Sequence, residues 1–197
     1  MNPHFTGVHG IVLAAGASSR MGSPKALLEY RGRTFLEWVL EALRPACDSI
    51  AVVTAPDSTE VRALCGKSGI ETLINPAPER GMLSSLQCAI AAHDAASFLF
   101  TPVDYPNLSP ATAAAIVAAF QSASQEAVIP VFAGKHGHPV CISRALARRI
   151  LELPAQASAR DALHTADALY LPVDDSGVLL DVDTPAEYEA LTLGDRP

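Results

Sequence analysis

Residues 10–25 read Gly-Ile-Val-Leu-Ala-Ala-Gly-Ala-Ser-Ser-Arg-Met-Gly-Ser-Pro-Lys. The first part, Gly10 to Ala15, is a short unbroken apolar run, the pattern of a strand covered on both faces. A loop of small and cationic residues comes directly after it. Small residues let backbone N–H groups approach an anion closely, and Gly16 and Gly22 can adopt positive φ. Ser18 and Ser19 add hydroxyl donors. Arg20 and Lys25 add permanent charge, suited to a triphosphate whose negative charge grows on the leaving pyrophosphate. The loop is not a Walker A motif, because no Gly-Lys-Ser/Thr ends it, and it lacks the Gly-x-Gly of a dinucleotide fingerprint. An ordinary basic surface loop is the competing reading of the same residues.

Outward from this stretch, short apolar runs alternate with amphipathic segments. Thr34 to Leu43 predicts a helix, with Thr34 and Glu37 at capping-box spacing and Leu36, Val39, Leu40 and Leu43 forming one stripe. Ser49 to Thr54 predicts a strand, Ser58 to Cys65 a short helix and Glu71 to Ile74 another strand. Met82 to Ala92 predicts a helix, and Ser97 to Thr101 a strand that stops at Pro102. Ser109 and Pro110 open the next helix as N-cap and first residue. Strands are expected at Ala127 to Phe132 and His138 to Ser143, around the turn-rich segment Ala133 to Gly137. A helix is expected from Arg144 to Glu152, then a loop from Pro154 to Ser158 and a short helix from Ala159 to Thr165. Strands at Leu169 to Pro172 and Val178 to Val182 lead to a last helix capped by Thr184 and Pro185. Such alternation implies an α/β sheet with right-handed crossovers, in which ligands bind beyond the carboxyl ends of the strands.

The chain has 197 residues, 49% hydrophobic but only 6% aromatic, so the core is built from Ala, Val, Leu and Ile. That length suits one domain. With 14 Lys and Arg against 21 Asp and Glu, the net charge is −7, which argues against nucleic acid or an anionic membrane as partner. No apolar run is long enough to span a bilayer and the first residues carry no signal peptide, so a cytoplasmic location is expected. Cys47, Cys65, Cys88 and Cys141 form no Cys-x-x-Cys pair and read as reduced, mostly buried thiols.

Two acidic segments fall where ligands are expected. Asp104, in Pro102-Val103-Asp104-Tyr105-Pro106, sits just past a strand end between prolines. A hard divalent cation favours such an oxygen, although Asp also caps turns. In Asp181-Val182-Asp183-Thr184-Pro185, alternation puts Asp181 and Asp183 on one side of a strand. Asp174 and Asp175 read as solvated loop surface. His136 and His138 have too little around them to read as a metal site. Met21 and Met82 read as packing residues.

Leu13 to Leu28 resembles the signature LAAGxSxRMGxxKxLL of the MobA-like NTP transferases, especially the molybdenum cofactor cytidylyltransferase branch. Further stretches resemble that family in its own order: Gly81-Met82-Leu83-Ser84-Ser85-Leu86, then Pro102 to Leu108, Gly137-His138-Pro139, and the terminal Asp181-Val182-Asp183-Thr184-Pro185. The resemblance implies a three-layer α/β/α fold with a Rossmann-like, mostly parallel sheet of the nucleotide-diphospho-sugar transferase type. It implies that Leu13, Ala14, Ala15, Gly16, Ala17, Ser18, Ser19, Arg20 and Lys25 hold the NTP, with Ser85 near the base or ribose. It further implies that Asp104 and Asp183 hold Mg²⁺, and that Arg20, Lys25, Asp104 and Asp183 carry catalysis. Asp181 is left between structural hydrogen bonding and metal ligation. Residues 8–110 would mainly serve the NTP, and 111–197 the acceptor and second metal ligand.

The Ala14-Ala15-Gly16 form resembles cytidylyl-transferring members, where guanylyl-transferring relatives more often carry a second glycine at Ala15; this favours CTP. Molybdopterin is the implied acceptor, with a molybdoenzyme as possible client. Yet the Gly-Asp-x-Gly-[AS]-Arg stretch usual before the last strands is replaced by Pro154 to Asp161, keeping only the arginine, as Arg160. A sugar phosphate or other small phosphomonoester therefore stays open as acceptor. So does a chaperone that carries a cofactor without turnover.

Overall fold

The computed structural model describes residues 7–16 and 21–194. In chain order, β1 (Val8–Ala14) leads to a short hairpin, β2 (Glu29–Tyr30) and β3 (Arg33–Thr34). Then come α1 (Phe35–Leu43), β4 (Ser49–Thr54), α2 (Thr59–Lys67), β5 (Glu71–Ile74), α3 (Met82–Ala92) and β6 (Ser97–Pro102). The second half runs α4 (Pro110–Ser122), β7 (Ala127–Phe132), β8 (Lys135–His136), β9 (Val140–Ser143), α5 (Arg144–Glu152), α6 (Ala159–His164), β10 (Ala168–Pro172) and α7 (Pro185–Leu193).

The main sheet has the order β10-β7-β9-β6-β1-β4-β5, with β8 added against β7. Every pairing along that order is parallel except those made by β9, which runs antiparallel between β6 and β7. β1 lies between β4 and β6 and is buried along its whole length, as its unbroken apolar run requires. Its side chains alternate between two cores. Val8, Val12 and Ala14 join the cluster under α1, α2 and α4, while Ile11, Leu13 and Ala15 join the cluster under α3, α5 and α6. The molecule is thus a three-layer α/β/α stack around a mostly parallel sheet.

Local chemistry sets the helix ends. Glu37 Oε2 accepts from the Thr34 backbone N–H at 2.8 Å while the Glu37 N–H reaches Thr34 Oγ1 at 3.2 Å, closing the capping box. Ser109 caps α4 with Pro110 at its first position. One expected strand is absent: residues 176–179 form a 3-10 turn, and no strand runs from Val178 to Val182. The reason is Asp175, whose Oδ1 accepts from the Gly177 N–H at 2.9 Å and curls the chain there. Asp175 is therefore not solvated surface. Its other oxygen takes the Thr112 hydroxyl at 2.7 Å and the Ser109 N–H at 3.2 Å, tying the turn to the start of α4.

A buried histidine on β1 gives the fold a pH dependence. His9 is 3% exposed, its Nδ1 lies 2.7 Å from Ser49 Oγ, and its ring stacks on His93 at 3.8 Å. Burial, and then the neighbouring His93, push its pKa down to about 4, with Glu71 pulling weakly the other way. The unfolded chain protonates this ring near pH 6.5 and the folded chain only near 4. Its contribution is therefore present above pH 6.5 and is lost as pH falls towards 4. At about 1.4 kcal/mol per unit, the loss is at most on the order of 3 kcal/mol. Urea unfolding at pH 7, 5.5 and 4.5 should show the stability of wild type minus His9→Asn falling by that order. A difference that stays flat would remove His9 as the cause.

Candidate active site

The carboxyl ends of β1, β4 and β6 open on a cleft of about 660 Å³. Ala15, Lys25, Asp57, Ser85, Asp104 and Asp183 are among the residues lining it. Leu13, Ala14 and Gly16 line it too, so the described part of the expected phosphate loop borders this space. Ala17, Ser18, Ser19 and Arg20 lie outside the described residues.

Three chain segments meet at one point. Lys25 begins a 3-10 turn whose next residue, Ala26, is buried, so the turn is pinned to the core. Lys25 Nζ donates to Asp104 Oδ2 at 2.8 Å and to Asp183 Oδ1, residues 79 and 158 positions away. Asp104 is fixed from both sides: the Val103 N–H donates to Leu13 O at 3.1 Å, and the Val182 N–H to Asp104 O at 3.1 Å. Asp183 is fixed from below. Val182 is buried against Phe35 and Tyr30, and Glu187 Oε2 accepts the Asp183 and Thr184 N–H groups at 2.9 and 2.8 Å. Thr184 and Glu187 thereby form the capping box of α7, with Pro185 as its first residue. The segment predicted as a strand end is in fact a helix entry, which puts Asp183 into the cleft and leaves Asp181 exposed.

The electrostatics are opposed within this group. Burial disfavours the Lys25 ammonium, but the hydrogen bonds and charges of Asp104 and Asp183 prevail and raise its pKa above the ordinary value. Burial pushes the Asp104 carboxyl up, against the pull of Lys25. Asp104 Oδ1 is buried and has no hydrogen-bond partner among the described residues. A buried acceptor left unpaired costs free energy, so its retention points to a ligand that uses it. Two convergent carboxylates beside a cleft form the donor set a hard divalent cation takes, completed by substrate phosphates. Among the described residues no group of three His, Cys, Asp or Glu side chains could hold a metal.

The rest of the lining mixes expectation and surprise. Ser85 is buried at the start of α3, where its Oγ accepts from Asn75 Nδ2 at 2.9 Å. Asn75 also donates to Ser84 Oγ and accepts the Ala77 N–H. Nothing in the sequence singles out Asn75 except the Asn-Pro turn after β5. Met82 is not a packing residue: it is 44% exposed and lines the cleft. Behind Asp104, the His138 ring lies 5.1 Å from that of Tyr105 and 5.8 Å from that of Phe100. Burial lowers its pKa to about 4, so it is a neutral packing ring at physiological pH. All four thiols are free; Cys65 and Cys141 are buried, whereas Cys47 and Cys88 are only partly so. Among the described residues no helix is long and apolar enough to cross a membrane.

Comparison with known proteins places this geometry. The molybdenum cofactor cytidylyltransferase of Escherichia coli (strain K12) is 27% identical over 179 residues, covering 90% of this chain and 92% of the relative. A probable molybdenum cofactor guanylyltransferase of Mycobacterium avium (strain 104) is 35% identical over 188 residues, 92% of this chain and 93% of the relative. The crystal structure of Rv0371c from Mycobacterium tuberculosis H37Rv superposes with a TM-score of 0.85 at 31% identity, over 97% of this chain and all of that one. Rv0371c has also been crystallised in complex with manganese; that structure gives a TM-score of 0.81 at 28% identity, over 95% of this chain and 99% of the other. The MobA-like NTP transferase domain matches residues 10–169, the span from β1 to the start of β10 that carries Lys25 and Asp104. This chain is a nucleotidyltransferase of the MobA-like NTP transferase family.

Proposed function

We propose that this protein transfers CMP from CTP to a phosphorylated acceptor, molybdopterin in first place, with release of pyrophosphate. The observation that carries the reading is the meeting of Lys25, Asp104 and Asp183 at the mouth of the cleft. An oxygen of the acceptor phosphate attacks the α-phosphorus in line, forming the new P–O bond as the bond to the β-phosphate oxygen breaks. That nucleophile has its second pKa near 6 and is mostly ionised at neutral pH, so no side-chain base is needed. Lys25, with Arg20, offsets the charge that grows on the departing pyrophosphate. Asp104 and Asp183 would hold a divalent cation, magnesium or manganese, which would supply charge neutralisation at the phosphates. Residues 8–110 serve mainly the NTP, and 111–197 the acceptor and second metal ligand. Within the acceptor half, exposed Tyr170 on β10 stacks on His136 of β8 at 4.5 Å, a flat surface suited to a planar heterocycle.

CTP is favoured by Ala14-Ala15-Gly16 and by the cytidylyltransferase relative. A second reading, GTP, draws on the guanylyltransferase relative, which has the higher identity over a similar span. Pyrophosphate release from CTP, GTP, ATP and UTP with Mg²⁺ and molybdopterin separates them. The expected result is release at least tenfold faster with CTP, the discrimination that about 1.4 kcal/mol supplies. Preference for GTP would move the assignment to guanylyl transfer. Absence of release with every nucleotide would remove molybdopterin as acceptor and leave either another small phosphomonoester or a binding role without turnover.

A further inference from the structure

We propose that Lys25 guards the metal position: in the nucleotide-free protein its ammonium stands in for the divalent cation, so that metal and nucleotide bind as an interdependent pair. This rests on the proposed function in taking Asp104 and Asp183 as the metal ligands. The ammonium already bridges the two carboxylates, one at 2.8 Å and the other in direct contact. A dication entering between them would meet a cation held at the same two carboxylates, and the two would repel in a partly buried site where screening is weakened. The Lys25 side chain is 14% exposed and that of Asp104 17%, so water weakens the conflict least on the Asp104 side, Asp183 being more open at 41%.

Nucleotide phosphates remove the conflict. They give the ammonium another anion, and a Lys side chain on a flexible four-carbon stem can change partner while its backbone stays fixed. The backbone is fixed here, because buried Ala26 and the Leu28 N–H bond to Lys25 O hold the turn. A purely structural tie would behave differently. Removing it would loosen the site and leave metal binding unchanged or weaker.

The test uses Mn²⁺ and the nucleotide-free full chain, with free Mn²⁺ followed by electron paramagnetic resonance. Lys25→Met and Lys25→Gln should each bind Mn²⁺ on the order of tenfold more tightly than wild type, the scale expected when a competing partly buried ion pair is removed. The gain should vanish in Lys25→Met combined with Asp104→Asn. Equal or weaker binding in both single variants overturns the proposal. Wild type supplies an independent readout: amine acylation at Lys25, quantified by peptide mass spectrometry, should speed up several-fold at saturating Mn²⁺, and an unchanged rate overturns it. If wild type with CTP binds Mn²⁺ through Asp104 while Lys25→Met gains nothing, only the guarding role falls. If no Asp104-dependent Mn²⁺ binding occurs even with CTP, the metal assignment falls and takes this inference with it.

Discussion

Asp104→Ala is expected to lower pyrophosphate release on the order of 10³-fold while the protein melts within a few degrees of wild type. The rate effect arises from the surroundings of the carboxylate. It projects from the end of β6 into the cleft, shares the Lys25 ammonium with Asp183, and keeps one oxygen buried with no partner among the described residues. Removing it takes away the anion proposed to hold the metal over the phosphates, and losses of preorganised charge stabilisation run to roughly 10²–10³-fold. The small effect on stability has the same burial as its cause. A carboxyl pushed up by desolvation gains little from being there, and Lys25 keeps Asp183 when Asp104 is cut back. Asp104→Asn should behave alike, because it retains the shape and loses the charge. Steady-state rates beside thermal melts test both halves. A variant within tenfold of wild type in rate would remove Asp104 from the chemistry, and one that fails to fold would make it a structural residue.

Most of the fold was legible because its signals are local. An unbroken apolar run marked β1, capping-box spacing marked α1, and Ser-Pro marked α4; each depends on neighbours a few residues apart. Legibility ended where a distant partner decides the conformation. Val178 to Val182 looks like a strand by composition, yet Asp175 folds it into a turn while also gripping Ser109 and Thr112 across 66 and 63 residues. Asp104 and Asp183 stood out because carboxylates beside prolines and a helix cap are visible in one dimension. Their meeting at Lys25 was not, since spacing alone cannot bring positions 25, 104 and 183 together. Asn75 escaped for a related reason: its side chain reaches into α3, and only the folded chain brings that helix to it.

Gly137→Ala is expected to destabilise the protein by about 3 kcal/mol or more, because the added methyl has no space to enter. A Cβ at Gly137 would lie 2.2 Å from Val178 O and 2.8 Å from its carbonyl carbon. Those are backbone atoms that cannot rotate aside, and the His138 N–H donates to the same Val178 O at 2.9 Å. Relief requires moving residues 137–139 away from the turn at 176–179, breaking that bond. The neighbouring turn cannot yield either, for a Cβ at Gly177 would lie 2.2 Å from Asn107 O. The two glycines thus let three loops touch backbone to backbone, one coming after Asp104 and another leading to Asp183. At roughly 2–4 °C per kcal/mol for a chain of this size, the midpoint should drop by about 6–12 °C. The displaced turn should also pull on Val182, whose N–H bonds to Asp104 O, so activity below the melting range should fall as well. Thermal melts of Gly137→Ala, with Gly134→Ala as control for a glycine whose Cβ would meet nothing within 4 Å, check the steric cause. Gly134 has a φ of 76°, so its alanine carries the conformational cost without the clash. A Gly137→Ala midpoint no lower than that of the control would refute close approach as the reason for this glycine.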